Sequence, residues 1–341
     1  MPINRFTPYR FKNGLVAKNR VVVPPMASQT ANDKGFVTDS TTEHYSRLSR
    51  SNAGLMIVEY SYIHQTGKGE TNQLGVDSDD KIPGLKEIAS ILHKASTLAG
   101  IQLVHAGGKT STEVTGTPLM GPSGVSVPVK GWAPESPMPM TNDQIEDWVN
   151  WFMAAAKRAV AADFDLVELH AAHGYGLNQW LSPITNQRND SYGEPIESRS
   201  RLLLRIASNF KVTFPNILLS VRLPAQDHLE GGLTISDMAW VVSKLGSIGV
   251  DLINVSSGIG GWRRPEGKTG QGYLVEDATL LKAHTNAPVM GVGGIETGDY
   301  IDQILGAGAV DFAAVGRAIL KDPENWGRQN LKDIPMNLKT D

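Results

Sequence analysis

The run Arg20-Val21-Val22-Val23-Pro24-Pro25-Met26 decides the fold. Three adjacent valines favour a strand buried on both faces, and two prolines end it. In a doubly wound nucleotide-binding sheet the first strand leads into Gly-x-Gly-x-x-Gly at a helix start. Here Pro-Pro-Met follows, so the open sheet lacks its expected marker and a closed barrel becomes the better reading.

Outward from that strand, short apolar runs alternate with longer amphipathic stretches. The further strand candidates are Gly54–Tyr60, Ile101–His105, Phe164–His170, Ile217–Arg222, Asp251–Val255, Pro288–Val292 and Val310–Val315. Helical patterns cover Thr41–Asn52, Pro83–Leu98, Thr141–Ala162, Ser198–Phe214, Ser236–Leu245, Glu276–His284, Gly298–Leu305 and Pro323–Leu331. Thr141-Asn142-Asp143-Gln144 is close to a capping box, and Ile145, Trp148, Phe152 and Ala155 share one helix face. Eight strand-then-helix units predict an α/β TIM (β/α)8 barrel. Two segments exceed ordinary loops: an insertion after strand three, Gly107–Met140, and an extended loop after strand four, Tyr175–Glu197. In a barrel, the first is either a wall over the catalytic face or a surface decoration.

Composition narrows the chemistry. The 341 residues are 40% hydrophobic and 20% charged, with a formal charge of −3 and no basic cluster. Neither nucleic acid nor an anionic membrane is an expected partner. With no cysteine, disulfides, thiolate nucleophiles, iron–sulfur clusters and cysteine zinc sites are excluded. The polar start, with Arg5, Arg10 and Lys12, does not read as a signal peptide, and no apolar run is long enough to span a bilayer. A cytoplasmic location is the expectation.

Barrel active sites lie at strand C-terminal ends, where Gln102, His105, His170, Arg222, Gly293-Gly294 and Gly316-Arg317 fall. Glycines after strands seven and eight let backbone N–H groups approach a phosphate, and Arg317 adds a charged donor. In Glu168-Leu169-His170-Ala171-Ala172-His173-Gly174-Tyr175, two imidazoles can donate to an oxygen gaining negative charge, and a phenol can supply a proton. A metal site from His170, His173 and Glu168 remains an alternative, as do two core histidines. Arg222 needs either a structural carboxylate or an anionic ligand such as a reduced flavin, whose pyrimidine edge Gln102 suits. A phosphate-binding isomerase, lyase or aldolase would need a lysine, paired carboxylates or a metal at the strand tips. The nearest lysine, Lys109, already lies in the loop.

These landmarks together resemble the Old Yellow Enzyme family of FMN-dependent ene-reductases, in its bacterial thermophilic-like branch. The resemblance rests on Pro24-Pro25-Met26, Gln102-Leu103-Val104-His105-Ala106-Gly107, His170 to Leu177, Leu181-Ser182-Pro183, Asn186 to Gly193, and Gly316-Arg317 with Asp322-Pro323 and Trp326. It implies a single FMN-binding barrel domain over residues 1–341, with FMN held non-covalently. NADPH or NADH would reduce the flavin, and an enone, enal or nitroalkene would reoxidise it. His170 and His173 would hold the substrate oxygen and Tyr175 would donate the proton. Pro25, Met26, Ala27, Tyr60, Gln102, Arg222, Gly293, Gly294, Gly316 and Arg317 would surround the flavin. A dienoyl-CoA or xenobiotic reductase of the same flavin family is the near alternative, and a homo-oligomer is left open. Three departures stand out: Ala27 where the branch often has cysteine, Tyr60 where a small residue is common, and Gly108 in place of arginine.

Overall fold

The computed structural model describes residues 2–331. Eight parallel strands close into a barrel: β1 (Val21–Val23), β2 (Leu55–Tyr62), β3 (Leu98–Val104), β4 (Leu166–His170), β5 (Leu218–Pro224), β6 (Leu252–Ser256), β7 (Val289–Gly291) and β8 (Phe312–Ala314). Each pairs with the next, and β8 returns to β1 through Ala313↔Val21 and Ala314↔Val22. The helix of each unit packs outside. Thr141 and Gln144 form the expected capping box of helix Asn142–Ala161, and Ile145, Trp148, Phe152 and Ala155 are buried on its inner face.

Alternation along the strands sorts residues by depth, because positions two apart point to the same side. Inside the barrel, Leu55, Ile57, Leu166, Leu218, Leu252, Met290 and Phe312 form an apolar lower layer. Two residues along β4 comes Glu168, in register with Gln102 and Ser220; two further comes His170, in register with Arg222. The interior therefore changes from hydrocarbon to charge toward the strand C-termini.

The lower end is plugged by an unanticipated hairpin, Tyr9–Arg10 paired antiparallel with Val16–Ala17. Its Phe11 is 3% exposed and stacks on Phe312 with ring centroids 5.9 Å apart. Burying such a ring contributes about 1.5–3 kcal/mol.

Some boundaries move. The helix expected over Pro83–Leu98 runs only over Ile82–Lys94, because Ser96 adopts φ +52° and turns the chain. Leu98, Ala99 and Gly100 then join β3 to pair with Leu55, Met56 and Ile57. The segment Gly107–Met140 is structured, with a short helix at Thr112–Thr115 and a pairing of Met120–Gly121 with Met138–Pro139. A five-residue helix, Arg317–Lys321, precedes helix Pro323–Asn330. Among the described residues, no helix is long and apolar enough to cross a membrane.

Candidate active site

A cleft of about 530 Å³ opens at the C-terminal ends of the strands. Pro25, Met26, Ala27, Tyr60, Gln102, His170, His173, Tyr175, Arg222, Gly293, Gly294, Gly316 and Arg317 all line it, whereas His105, also a strand-tip candidate, is buried away from it against Trp148.

The layer below the cleft is built on Glu168. Its carboxylate accepts from Gln102 Nε2 at 2.8 Å, Ser220 Oγ at 2.8 Å and Asn254 Nδ2 at 3.0 Å. Burial raises its pKa, while the charge of Arg222 and these three donors pull it down. Glu168 thus faces its barrel neighbours, while His173 Nε2 pairs with Ser256 Oγ at 2.7 Å. Glu168 and the two histidines do not converge as ligands, and no group of three His, Asp or Glu side chains is placed to hold a metal among the described residues.

The histidine turn is held from several sides. His173 takes φ +60°, rare for a non-glycine residue, and its N–H donates to Ser257 O at 3.1 Å. Gln179 donates to Ala106 O at 2.9 Å and Gly174 O at 2.7 Å and accepts from Gly108 N, tying the turn to the loop after β3. The imidazoles of His170 and His173 meet edge to face at 5.1 Å, and Tyr175 lies 4.9 Å from His170. Burial, then the nearby charge of Arg222, hold both imidazole pKa values well below 6.5, so both rings are neutral at pH 7. Ala172 N–H donates to His170 Nδ1 at 3.4 Å, which places the ring proton on Nε2. Ser256 Oγ accepts from Arg222 at 3.3 Å and pairs with His173 Nε2 at 2.7 Å, and its two lone pairs and one proton serve either tautomer of that ring. His170 therefore keeps its Nε2–H to donate.

Arg222 has no carboxylate within salt-bridge distance among the described residues. Its guanidinium reaches only Pro25 O at 3.4 Å and Ser256, and its Nε is buried without a partner. Glu168 acts on it from beyond contact distance, so a buried guanidinium so placed suits an anionic ligand in the cleft. Opposite it is a backbone cradle: Gly293 adopts φ +122°, and a Cβ there would meet Leu274 N at 2.9 Å and Tyr273 N at 3.0 Å. A Cβ on Gly294 would lie 3.4 Å from Arg317 and 3.5 Å from Arg264. A buried Arg, an amide-rich edge and a glycine cradle with two guanidiniums suit a flat, anionic, phosphate-bearing cofactor, and the donor set fits FMN. The loop carrying Pro25, Met26 and Ala27 is fixed by Glu59, which accepts from Ser28 N at 3.1 Å and Tyr45 Oη at 3.1 Å.

Sequence reasoning missed several lining or supporting groups. Ser256 was detectable as the residue two beyond Asn254 on β6. Arg264 stacks on Tyr273 at 4.6 Å and comes from the glycine-rich loop after β6. Lys109, read as a loop residue, reaches the site: it is 8% exposed and its Nζ lies 4.2 Å from the Tyr175 ring centre. Glu70 gave no sequence signal.

Fold and site together define a flavin-dependent barrel oxidoreductase. The chain belongs to the NADH:flavin oxidoreductase / NADH oxidase family, which it matches over residues 4–335. It is thus an FMN-dependent NADH/NADPH oxidoreductase of the Old Yellow Enzyme type. It is 35% identical to an NADPH dehydrogenase of Geobacillus thermodenitrificans, over 98% of this chain and 95% of that one. It is also 35% identical to an NADH oxidase of Thermoanaerobacter brockii, covering 96% of this chain but only 51% of the relative. The Old Yellow Enzyme homologue of Zymomonas mobilis superposes with a TM-score of 0.83 at 25% identity, covering 95% of this chain and 92% of that one.

Proposed function

We propose that the protein is an ene-reductase: it reduces the C=C bond of α,β-unsaturated ketones, aldehydes or nitro compounds. The observation that carries this reading is the pair of neutral imidazoles, His170 and His173, with the Tyr175 phenol 4.9 Å from His170, in one cleft with an Arg that has no carboxylate within salt-bridge distance among the described residues. FMN, when bound, supplies the hydride. Gly293, Gly294, Gly316 and Arg317 would hold its phosphate, and Pro25, Met26, Ala27, Tyr60, Gln102 and Arg222 its ring.

The chain's own groups do the rest. The ring N–H groups of His170 and His173 donate to the substrate oxygen and stabilise the charge that develops there. Neutral rings suit this role, since they bind an enolate oxygen without handing it a proton at once. Tyr175 delivers the proton to carbon; burial raises its pKa, so it stays protonated across the neutral range. Ala27 removes thiol control of the flavin, and Tyr60 narrows the cleft toward small, flat substrates. The same reading makes this a cytoplasmic enzyme of small molecules, with cofactor and substrate sites in one barrel unit and a homo-oligomer compatible with it.

The test is stopped-flow kinetics of Tyr175→Phe. Flavin reduction by nicotinamide should persist, while reoxidation by 2-cyclohexenone slows about 10²-fold or more, the usual worth of a positioned proton donor. Equal losses in both half-reactions would remove the proton-donor role.

A further inference from the structure

A tyrosine that gives its proton to carbon must recover one in each cycle, and a bound cofactor and substrate would cover Tyr175. Two neighbours connect it outward. Tyr60, on β2, lines the cleft with its ring centre 5.3 Å from that of Tyr175. The residue is 7% exposed, and its hydroxyl is buried without a hydrogen-bond partner among the described residues. A buried, unpaired hydroxyl costs free energy unless a water or a ligand pairs with it. Beyond it, Glu70 lines this cleft and also a more open depression beside it, with Gln29, Thr71, Asn72 and Trp132. Glu70 is half-buried and accepts from Gln29 Nε2 at 2.6 Å. It thus lies on the boundary between the open depression and the cleft that holds both phenols.

We infer that Tyr60 and Glu70 form a proton relay that recharges Tyr175 from solvent. This rests on the ene-reductase reading above. After Tyr175 has given its O–H proton to the substrate carbon, its phenolate oxygen takes the O–H proton of Tyr60. Tyr60 is reprotonated by the carboxyl group of Glu70, which has taken its proton from bulk water. No electrons move, and the net change is one proton from solvent to substrate. Separations beyond direct hydrogen bonding are bridged by water. Burial raises the pKa of both phenols, and the Glu70 charge raises them further, so the phenolate is a strong base that draws the proton inward. Lys109 is the rival donor, but its Nζ sits over the ring face of Tyr175 and donates to His173 O at 2.5 Å. That geometry holds the ring and does not address its hydroxyl.

The experiment follows reoxidation of the reduced holoenzyme by 2-cyclohexenone and by ferricyanide, which takes electrons without a carbon proton, in H2O and D2O. In Tyr60→Phe, which keeps the ring, the enone reaction should slow about tenfold relative to ferricyanide reoxidation of the same variant and change its solvent isotope effect. Glu70→Gln, at a half-exposed position, should slow the enone reaction about threefold or more with the same isotope signature. If both variants reoxidise with enone at the wild-type rate and isotope effect, or lose ferricyanide reactivity equally, the relay is wrong and the ene-reductase reading stands. If no activated alkene reoxidises the wild-type flavin, that reading falls and takes the relay with it.

Discussion

Lys109 Nζ donates to the backbone carbonyl of His173 at 2.5 Å, joining the long loop after β3 to the turn that presents both imidazoles. His173 is the turn residue held at φ +60°, so this bond stabilises backbone that is unfavourable by itself. Burial lowers the Lys109 pKa to about 8, so the ammonium is charged at pH 7. A charged hydrogen bond of this kind contributes about 1.5–3 kcal/mol. Lys109→Met should therefore weaken binding of a phenolic ligand about tenfold and lower Tm by a few degrees. Unchanged affinity, read by titrating the flavin charge-transfer band, would show the loop to be independent of the turn.

The two imidazoles should contribute separately to ligand binding. His170→Ala and His173→Ala should each weaken p-hydroxybenzaldehyde binding by about tenfold, the value of one hydrogen bond to a charged oxygen. Affinity unchanged in both variants would make the histidines structural.

Acid should unfold the protein through its buried histidines. Burial holds His105, His170 and His173 well below 6.5, the value regained on unfolding. Below pH 6.5 the unfolded chain binds more protons than the folded one, so this stability is present above 6.5 and is lost as pH falls toward the folded values. Each histidine contributes a slope of up to about 1.4 kcal/mol per pH unit in that window. Glu168 acts oppositely, because burial raises its folded pKa, so the comparison must be made against a variant. His105→Gln should flatten the dependence of unfolding free energy on pH by close to one proton between pH 6 and 5; an unchanged slope would contradict the assignment.

The barrel was legible because buried parallel strands announce themselves as short apolar runs. The strand-tip residues His170, Arg222 and Gln102 were legible because a barrel puts such tips at one mouth. The His170–His173–Tyr175 cluster is contiguous, so its convergence needs no long-range knowledge. Lys109 and Glu70 come instead from loops, and Gln179 from the short helix Gly176–Leu181; their placement depends on tertiary packing, which no periodicity encodes. The N-terminal hairpin escaped notice because each of its two strands has only two residues. At Ser96 the apolar helical pattern continued into Leu98 while a left-handed residue ended the helix, so local composition and local geometry disagreed.

The cofactor itself is the most direct test, since every role above depends on the cleft accepting it. Purified protein, or protein reconstituted with FMN, should show a flavin absorption band in the visible range, and denaturation should release one FMN per chain. Arg222→Met, which keeps much of the volume but removes the charge, should lower the flavin potential and weaken retention. A protein that stays colourless after reconstitution, with no FMN released on unfolding, would contradict the account at its base.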